Sequence, residues 1–165
     1  MTNQYDVLIA NTARTYGLPA RLLRAQVQQE SDGDANAFRY EPAFFRYYIL
    51  NNSAALARGF GPLAACSYGL MQILLETAYE TGYQGWPEGL FAADVGLAWG
   101  AAYMLKLWKA RGGTPGRAYF NALVRYNGVG LAATAYAESV YRIAGIPVPA
   151  PLARRRGKKS KRGVR

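Results

Sequence analysis

The chain has 165 residues, enough for one domain with its own core, and its apolar share of 51% is ordinary for a globular protein. No apolar run reaches the roughly 18 residues that a membrane span needs, so an integral membrane protein is not expected. Because there is no histidine and Cys66 is the only cysteine, an internal disulfide is excluded, no zinc ligand set exists, and we expect no metal and no cofactor.

The net charge of +10 is concentrated at the C-terminal end. Residues 154–165 carry eight basic side chains and no acidic one, whereas the rest of the chain is nearly neutral. We therefore expect a folded domain over residues 1–150 and a basic, disordered tail over residues 151–165. Since such a tail attracts any anionic polymer by charge alone, no specific recognition of nucleic acid is predicted.

Helices dominate the predicted structure. Seven segments show the apolar spacing of helices: residues 6–16, 19–30, 42–58, 70–79, 92–110, 115–124 and 131–144. Gly17 and Pro19 separate the first two. Gly96 and Gly100 form a GxxxG pattern that indicates close packing in the core. No segment shows the alternation of a half-buried strand, so the predicted fold class is mainly α, with little or no β-sheet.

Glu30 is the candidate catalytic residue. It ends the second helix on the face that carries Leu23 and Val27, because side chains three or four residues apart share a helix face. A carboxyl group against apolar neighbours resists ionisation, so its pKa should rise. A raised pKa suits a general acid at neutral pH. The alternative is an ordinary surface glutamate near a helix end.

Candidate substrate-binding side chains follow in two turn-like segments. Met71 and Gln72 belong to a segment that a glycine begins, and the Gln72 amide can grip a polar substrate. Tyr126 offers a phenol that can donate to a carboxylate, and Asn127 offers an amide that can hold an acetamido or hydroxyl group. The alternative is that these turns, and Tyr136 in the last helix, have structural roles only.

Four short motifs stand in a recognisable order: Glu30-Ser31, Gly69-Leu70-Met71-Gln72-Ile73, Arg125-Tyr126-Asn127-Gly128 and Tyr136-Ala137-Glu138-Ser139-Val140. This order resembles that of the Slt-type lytic transglycosylases of the lysozyme-like superfamily, over about residues 18–142. The resemblance implies a lysozyme-like helical domain of the Slt or goose type. It also implies that the partner is the glycan strand of peptidoglycan.

The resemblance implies a reaction carried by one residue. Glu30 would protonate the oxygen of the β-1,4 bond between N-acetylmuramic acid and N-acetylglucosamine. The same carboxylate would then take the proton of the muramoyl 6-hydroxyl, which closes onto the anomeric carbon to give a 1,6-anhydro sugar.

The resemblance also assigns substrate-binding residues: Ser31, Met71, Gln72, Tyr126, Asn127 and Tyr136. Gln72 would hydrogen-bond the substrate, and the Met71 region would line the cleft. Tyr126 would orient Glu30, while the other members would shape the adjacent subsites.

The number and positions of the carboxylates indicate which reaction mechanism is possible. Glycosidases generally pair two carboxylates. Asp32 lies off the face of Glu30, Asp34 follows a helix-breaking glycine, and Asp94 begins another helix, where it would act as a cap. An enzyme that uses one carboxylate and an internal hydroxyl of the substrate fits this set better than a two-carboxylate hydrolase does, although a distant aspartate could fold into the cleft. The alternatives are a hydrolytic goose-type muramidase and a non-catalytic wall-binding or virion structural protein of the same fold.

Three features depart from the family pattern. Arg39 stands where many relatives have a serine, residues 40–68 replace a short link, and Asn-Gly-Val-Gly replaces Asn-Gly-Gly. A cation near Glu30 would lower its pKa and oppose the acid role. Arg39 could instead pair with Glu41 or Asp34, or face carboxylates of the substrate.

The N-terminus shows no basic region followed by an apolar one, so we expect no secretory signal peptide. A wall-degrading enzyme without one is typical of bacteriophages. We therefore expect a phage-encoded or virion-associated protein that acts at the periplasm or cell wall of a bacterium. Its tail, residues 154–165, would contact other virion proteins or an anionic polymer.

Overall fold

A computed structural model describes residues 4–110 and 114–150. The tail predicted over residues 151–165 lies outside the described residues. The helices are α1 (Asp6–Tyr16), α2 (Ala20–Ser31), α3 (Pro42–Phe44), α4 (Ser53–Ala57), α5 (Leu75–Thr81), α6 (Ala93–Lys109), α7 (Pro115–Asn127) and α8 (Gly130–Ile143). The strands are β1 (Phe38–Tyr40), β2 (Cys66–Tyr68) and β3 (Ile73–Leu74). The mainly helical fold class is confirmed.

Local signals placed the long helices correctly. Gly17 adopts a left-handed conformation with φ 65° and ends α1 at the predicted residue. Pro19 precedes α2, where a missing N–H costs little. The predicted helices over residues 92–110, 115–124 and 131–144 are confirmed as α6, α7 and α8, with ends that differ by at most three residues.

The helical body packs around α2, α6, α7 and α8, with α1 against α2 and α6. Its core contains fully buried apolar side chains from α2, α6, α7 and α8: Leu23, Val27, Leu97, Met104, Leu123 and Val140. Full burial of such a side chain stabilises the fold by about 1.5–3 kcal/mol. This body therefore provides a rigid platform for the end of α2, where Glu30 lies.

The GxxxG prediction of close packing in α6 is confirmed. A Cβ atom added to Gly96 would overlap the carbonyl oxygen of Leu90, and one added to Gly100 would overlap the side chain of Met71. The two glycines thus let a neighbouring loop and the Met71 side chain lie directly on the helix.

The little β-sheet that the predicted fold class allows is a small antiparallel sheet in the order β1-β2-β3. Phe38 pairs with Tyr68, and Tyr68 with Ile73. Strands of two or three residues are too short to show alternation, which explains why the sequence did not reveal them. The helix predicted over residues 70–79 begins only at Leu75, because positive φ angles at Gly69 (66°) and Gln72 (45°) form a turn instead.

The single helix predicted over residues 42–58 is wrong. A π-helical turn, Phe45–Ile49, follows α3, and α4 begins afresh after Asn52. The Asn52 side chain accepts a hydrogen bond from the Ala55 backbone N–H at 3.1 Å, which starts a new helix at this point. Among the described residues, no helix is both long and apolar enough to cross a membrane.

Candidate active site

Glu30 lies in the last turn of α2, partly buried, and faces α8. The Tyr136 hydroxyl donates a hydrogen bond to Glu30 Oε1 at 2.6 Å. Burial raises the pKa of Glu30 from 4.5 to about 7, while the bond from Tyr136 and the charge of Arg39 both lower it. Burial outweighs both opposing effects, so the rise that the apolar helix face predicted is found.

Two further hydrogen bonds join α2 to α8. Ser139 Oγ donates to Gln29 Oε1 at 2.5 Å, and Arg21 Nη2 donates to the Ala144 carbonyl at 2.7 Å. Along these three contacts the residue numbers decrease in α2 while they increase in α8, so the two helices run antiparallel. This pairing holds the phenol of α8 against the carboxyl group of α2.

Tyr126 does not orient Glu30, and this expectation is corrected. Its hydroxyl donates instead to the Met71 carbonyl at 2.8 Å. Burial raises the pKa of Tyr126 well above its ordinary value, and the nearby charge of Glu30 adds to the rise. Tyr126 is thus close to the carboxyl group, but Tyr136 is the phenol that bonds to it, because α8 packs along α2.

Ser31 and Tyr126 hold consecutive carbonyls of the turn over residues 69–72. Ser31 Oγ lies 3.0 Å from the Leu70 carbonyl and 3.2 Å from the Val27 carbonyl, and it accepts a bond from the Gly33 N–H. The turn is therefore fastened to the end of α2 on one side and to α7 on the other.

Met71 points into the core, so the expectation that it lines the cleft is wrong for its side chain. It is 0% exposed and lies on Gly100 of α6. Its carbonyl group accepts the hydrogen bond from the Tyr126 hydroxyl. An apolar side chain here gains more from the glycine-lined surface of α6 than from water.

Gln72 follows with a strained backbone, since φ 45° is uncommon for a residue other than glycine. Its Nε2 donates to the Ala37 carbonyl at 2.9 Å and to the Gly69 carbonyl at 3.1 Å. Both N–H donors are thereby used within the protein, which leaves the acceptor Oε1 as the end of the amide that can meet a ligand.

Asn127 is the last residue of α7 and is exposed. Gly128 follows with φ 139°, a conformation that other residues rarely adopt, and it turns the chain towards α8. The sequence placed this amide correctly at a helix end next to a glycine turn.

Arg39 lies on β1 with a side chain that is 65% exposed, and it forms an ion pair with Glu41. Of the partners considered from sequence, Glu41 is thus the one observed. The Arg39 charge still lowers the pKa of Glu30, though less than the bond from Tyr136 does. Its exposure and its pairing explain why it does not abolish the raised pKa.

Two of the three aspartates considered as second carboxylates form hydrogen bonds elsewhere. Asp32 accepts a hydrogen bond from Gln28, and Asp34 Oδ1 accepts one from the Asn36 N–H at 2.8 Å. Asp94 lies exposed in the first turn of α6. Within residues 4–110 and 114–150, no group of three or more cysteine, aspartate or glutamate side chains could hold a metal ion.

Gln26 is a site residue to which the sequence gave no role. It is 0% exposed and lies one turn before Glu30. Burial and the Glu30 charge raise the pKa of Tyr136 well above its ordinary value, and the Gln26 amide beside the hydroxyl opposes this rise. Neither amide atom makes a hydrogen bond of normal geometry with the described part of the protein. The one signal in the sequence is its place on the face of Glu30.

A broad groove of about 990 Å³ lies elsewhere, between α1, α2 and the end of α8. Asp6, Arg21 and Arg24 line it, but Glu30 does not. Size alone does not identify an active site, and the buried carboxyl group with a matched donor is the stronger indication of chemistry.

The chain matches the model of the family described as "Transglycosylase SLT domain" over residues 7–143. Neither a curated protein nor a solved structure shows a significant match to this chain. The matched span contains Glu30, Gln72, Tyr126 and Tyr136. Because the match covers well over half of its length, this chain belongs to the transglycosylase SLT domain family.

Proposed function

We propose that the protein is a peptidoglycan lytic transglycosylase with Glu30 as its acid and base. Membership of the family supports the reaction class and the substrate. The observation that carries the residue assignment is the partly buried carboxyl group with a pKa of about 7, which receives a hydrogen bond from Tyr136 at 2.6 Å. A group with that pKa is populated in both protonation states near neutral pH, as a residue that gives and then takes a proton requires.

The first step breaks the bond between N-acetylmuramic acid and N-acetylglucosamine. Protonated Glu30 gives its proton to the glycosidic oxygen, the bond from that oxygen to the anomeric carbon breaks, and N-acetylglucosamine leaves with a free 4-hydroxyl. Positive charge develops on the muramoyl ring. The newly ionised Glu30 carboxylate stabilises that charge.

The second step closes the ring. The muramoyl 6-hydroxyl attacks the anomeric carbon, and its proton passes to the Glu30 carboxylate. The enzyme returns to its starting protonation state, and the product is a 1,6-anhydro sugar formed without water. The bond from Tyr136 to Oε1 fixes the carboxyl group so that Oε2 meets the substrate in both steps.

Two amides suit substrate binding. Gln72 Oε1 can accept a bond from a sugar hydroxyl or an acetamido N–H, because its Nε2 is already held by two carbonyls. Asn127, exposed at the end of α7, can hold a sugar substituent in an adjacent subsite. Ser31, Met71 and Tyr126 support the site through the backbone of the turn.

The test is digestion of purified sacculi by the wild type and by Glu30→Gln, with mass analysis of the products. We expect anhydro-muramoyl ends from the wild type and a rate lower by about 10²–10⁴-fold for Glu30→Gln. Glu80→Gln, on the exposed face of α5, removes the same charge and serves as the matched control. Reducing ends would support a goose-type muramidase, and no release of sugars by the wild type would support a non-catalytic binding protein. A rate that is unchanged in Glu30→Gln would contradict the assignment of Glu30.

Such an enzyme would act at the bacterial cell wall, in the periplasm. A phage origin, a place in the virion and a partner for residues 154–165 stay predictions.

A further inference from the structure

A second concave site lies outside the Glu30 site. This pocket of about 540 Å³ has aromatic walls from Phe60, Tyr79, Tyr83 and Trp86. Arg58 contributes a cation at its edge. None of the residues that line it bonds to Glu30 or to the turn over residues 69–72 in the described structure.

The loop that carries Trp86 is held rigidly. The Tyr83 hydroxyl donates to the Trp86 carbonyl at 2.6 Å, and the Tyr79 hydroxyl donates to the Gly85 carbonyl at 2.8 Å. A Cβ atom on Gly85 or Gly89 would overlap the Tyr83 hydroxyl, so the glycines at these positions make room for the first bond. Two hydrogen bonds from phenols and two glycines thus hold the backbone of a short surface loop.

Trp86 is nevertheless 70% exposed. Its ring stands at 83° to Phe60, with centroids 5.9 Å apart, while Phe60 stacks on Tyr79 at an interplanar angle of 8° and 5.6 Å. The rings therefore form a right-angled corner open to solvent. An exposed indole on a backbone that is held in place, with its ring against Phe60, loses less conformational entropy when a ligand covers it than one on a free loop would.

The charges at the corner do not favour an anionic ligand. Arg58 Nη1 lies 2.5 Å from Glu76 Oε1, and its guanidinium stands 5.0 Å from the centre of the Tyr79 ring. The cation is therefore already neutralised, but it keeps further N–H donors for a ligand. Burial and then the negative charge of Glu88 raise the pKa of Tyr83, so an acidic group also lies close by. A carboxylate ligand would therefore gain no net electrostatic attraction at this site.

An uncharged sugar ring matches these properties. Its C–H face can cover the Trp86 indole, and its hydroxyl and acetamido oxygens can accept from Arg58 and from the exposed Gln84 amide. We propose that this corner binds an N-acetylhexosamine ring of a glycan strand, as a second glycan-binding site that holds the enzyme on its polymer. This inference rests on the proposed function for the identity of the polymer.

Residues 40–68 contribute part of the lining of this site. Arg58 and Phe60 belong to the segment that departs from the family pattern, and Trp86 follows α5. The segment has a small core of its own around Ile49, Ala55 and Ala65. It thus contributes Arg58 and Phe60 to the corner and packs around a core of its own.

Glu30→Gln serves as the parent in the test, so that no substrate is cleaved. Chitotetraose, the β-1,4 tetramer of N-acetylglucosamine, is titrated while the indole N–H signals are followed by NMR, and Trp86→Ala in the same parent assigns the Trp86 signal. Binding of the parent to purified sacculi is measured beside that of Trp86→Ala and of Tyr47→Ala, an aromatic control that is 65% exposed.

We expect a saturable shift of the Trp86 signal, and a loss of about tenfold in the affinity of Trp86→Ala for sacculi, with Tyr47→Ala unchanged. An unmoved Trp86 signal, or equal affinities of parent and Trp86→Ala, would overturn the inference. The proposed function fails separately, if the wild type releases no cleaved glycan while the Trp86 signal still shifts.

Discussion

Replacing Glu30 with glutamine should stabilise the protein above pH 7 while it removes activity. The native pKa of Glu30 is raised from 4.5 to about 7 by burial, so the native state keeps a proton that the unfolded chain releases between these values. The free energy of unfolding therefore falls as pH rises from 4.5 to 7, because the native state binds more protons there. Glutamine is neutral throughout and keeps an oxygen that can accept the Tyr136 bond.

The size of the effect follows from the two pKa values. The difference between 4.5 and about 7 corresponds to about 3 kcal/mol once both states are ionised. In a domain of this size, 1 kcal/mol moves Tm by about 2–4 °C, so Glu30→Gln should gain about 6–12 °C at pH 8. Near pH 4.5 the native carboxyl group is protonated, and the variant should gain little.

Urea and thermal unfolding of both proteins at pH 4.5, 6, 7 and 8 measure this directly. Glu80→Gln, which removes an exposed carboxylate, is the control, and its stability relative to the wild type should stay within about 0.5 kcal/mol. The reasoning fails if Glu30→Gln is no more stable than the wild type at pH 8, or if its advantage is equally large at pH 4.5.

Three further results are expected. Tyr136→Phe removes the hydrogen bond that lowers the pKa of Glu30, so the loss of activity at alkaline pH should move upward by about one pH unit; a pH–rate profile with an unmoved alkaline limb would contradict this role. Arg39→Ala should move the same limb upward by less, because this exposed cation has the smaller effect, and a larger movement than in Tyr136→Phe would reverse the assigned order. Gly100→Ala should lose about 1–3 kcal/mol of unfolding free energy in urea through overpacking, whereas Gly116→Ala, where a Cβ meets open space, should not; equal losses would refute the close approach.

The sequence predicted the long helices because their limits are set locally. Gly17 ends α1 by its left-handed conformation, and the apolar spacing over residues 92–110 spans α6. The sheet escaped prediction because its strands have two or three residues and exist only through pairing between distant segments. In residues 42–58, the helical pattern was real, but Asn52 starts a new helix in the middle of it.

The site, like the fold, was predictable only where its properties depend on one segment of the chain. The face shared by Glu30 with apolar residues indicated a raised pKa, which is a local property of α2. Which phenol reaches the carboxyl group depends on how α7 and α8 pack against α2, so the role of orienting Glu30 was assigned to Tyr126, whereas Tyr136 forms that hydrogen bond. The burial of Met71 likewise depends on Gly100, a residue of another helix. Contacts between distant segments of the chain cannot be inferred from the sequence pattern of one segment.

Digestion of sacculi in water enriched in heavy oxygen tests the central claim most directly. If one glutamic acid transfers the proton and the muramoyl 6-hydroxyl closes the ring, the new ends carry no oxygen from the solvent and are lighter than hydrolysed ends by one water. Mass spectrometry of the released sugars should show these unlabelled anhydro ends from the wild type, and release from Glu30→Gln that is slower by about 10²–10⁴-fold. Reducing ends that carry the heavy isotope would contradict the account.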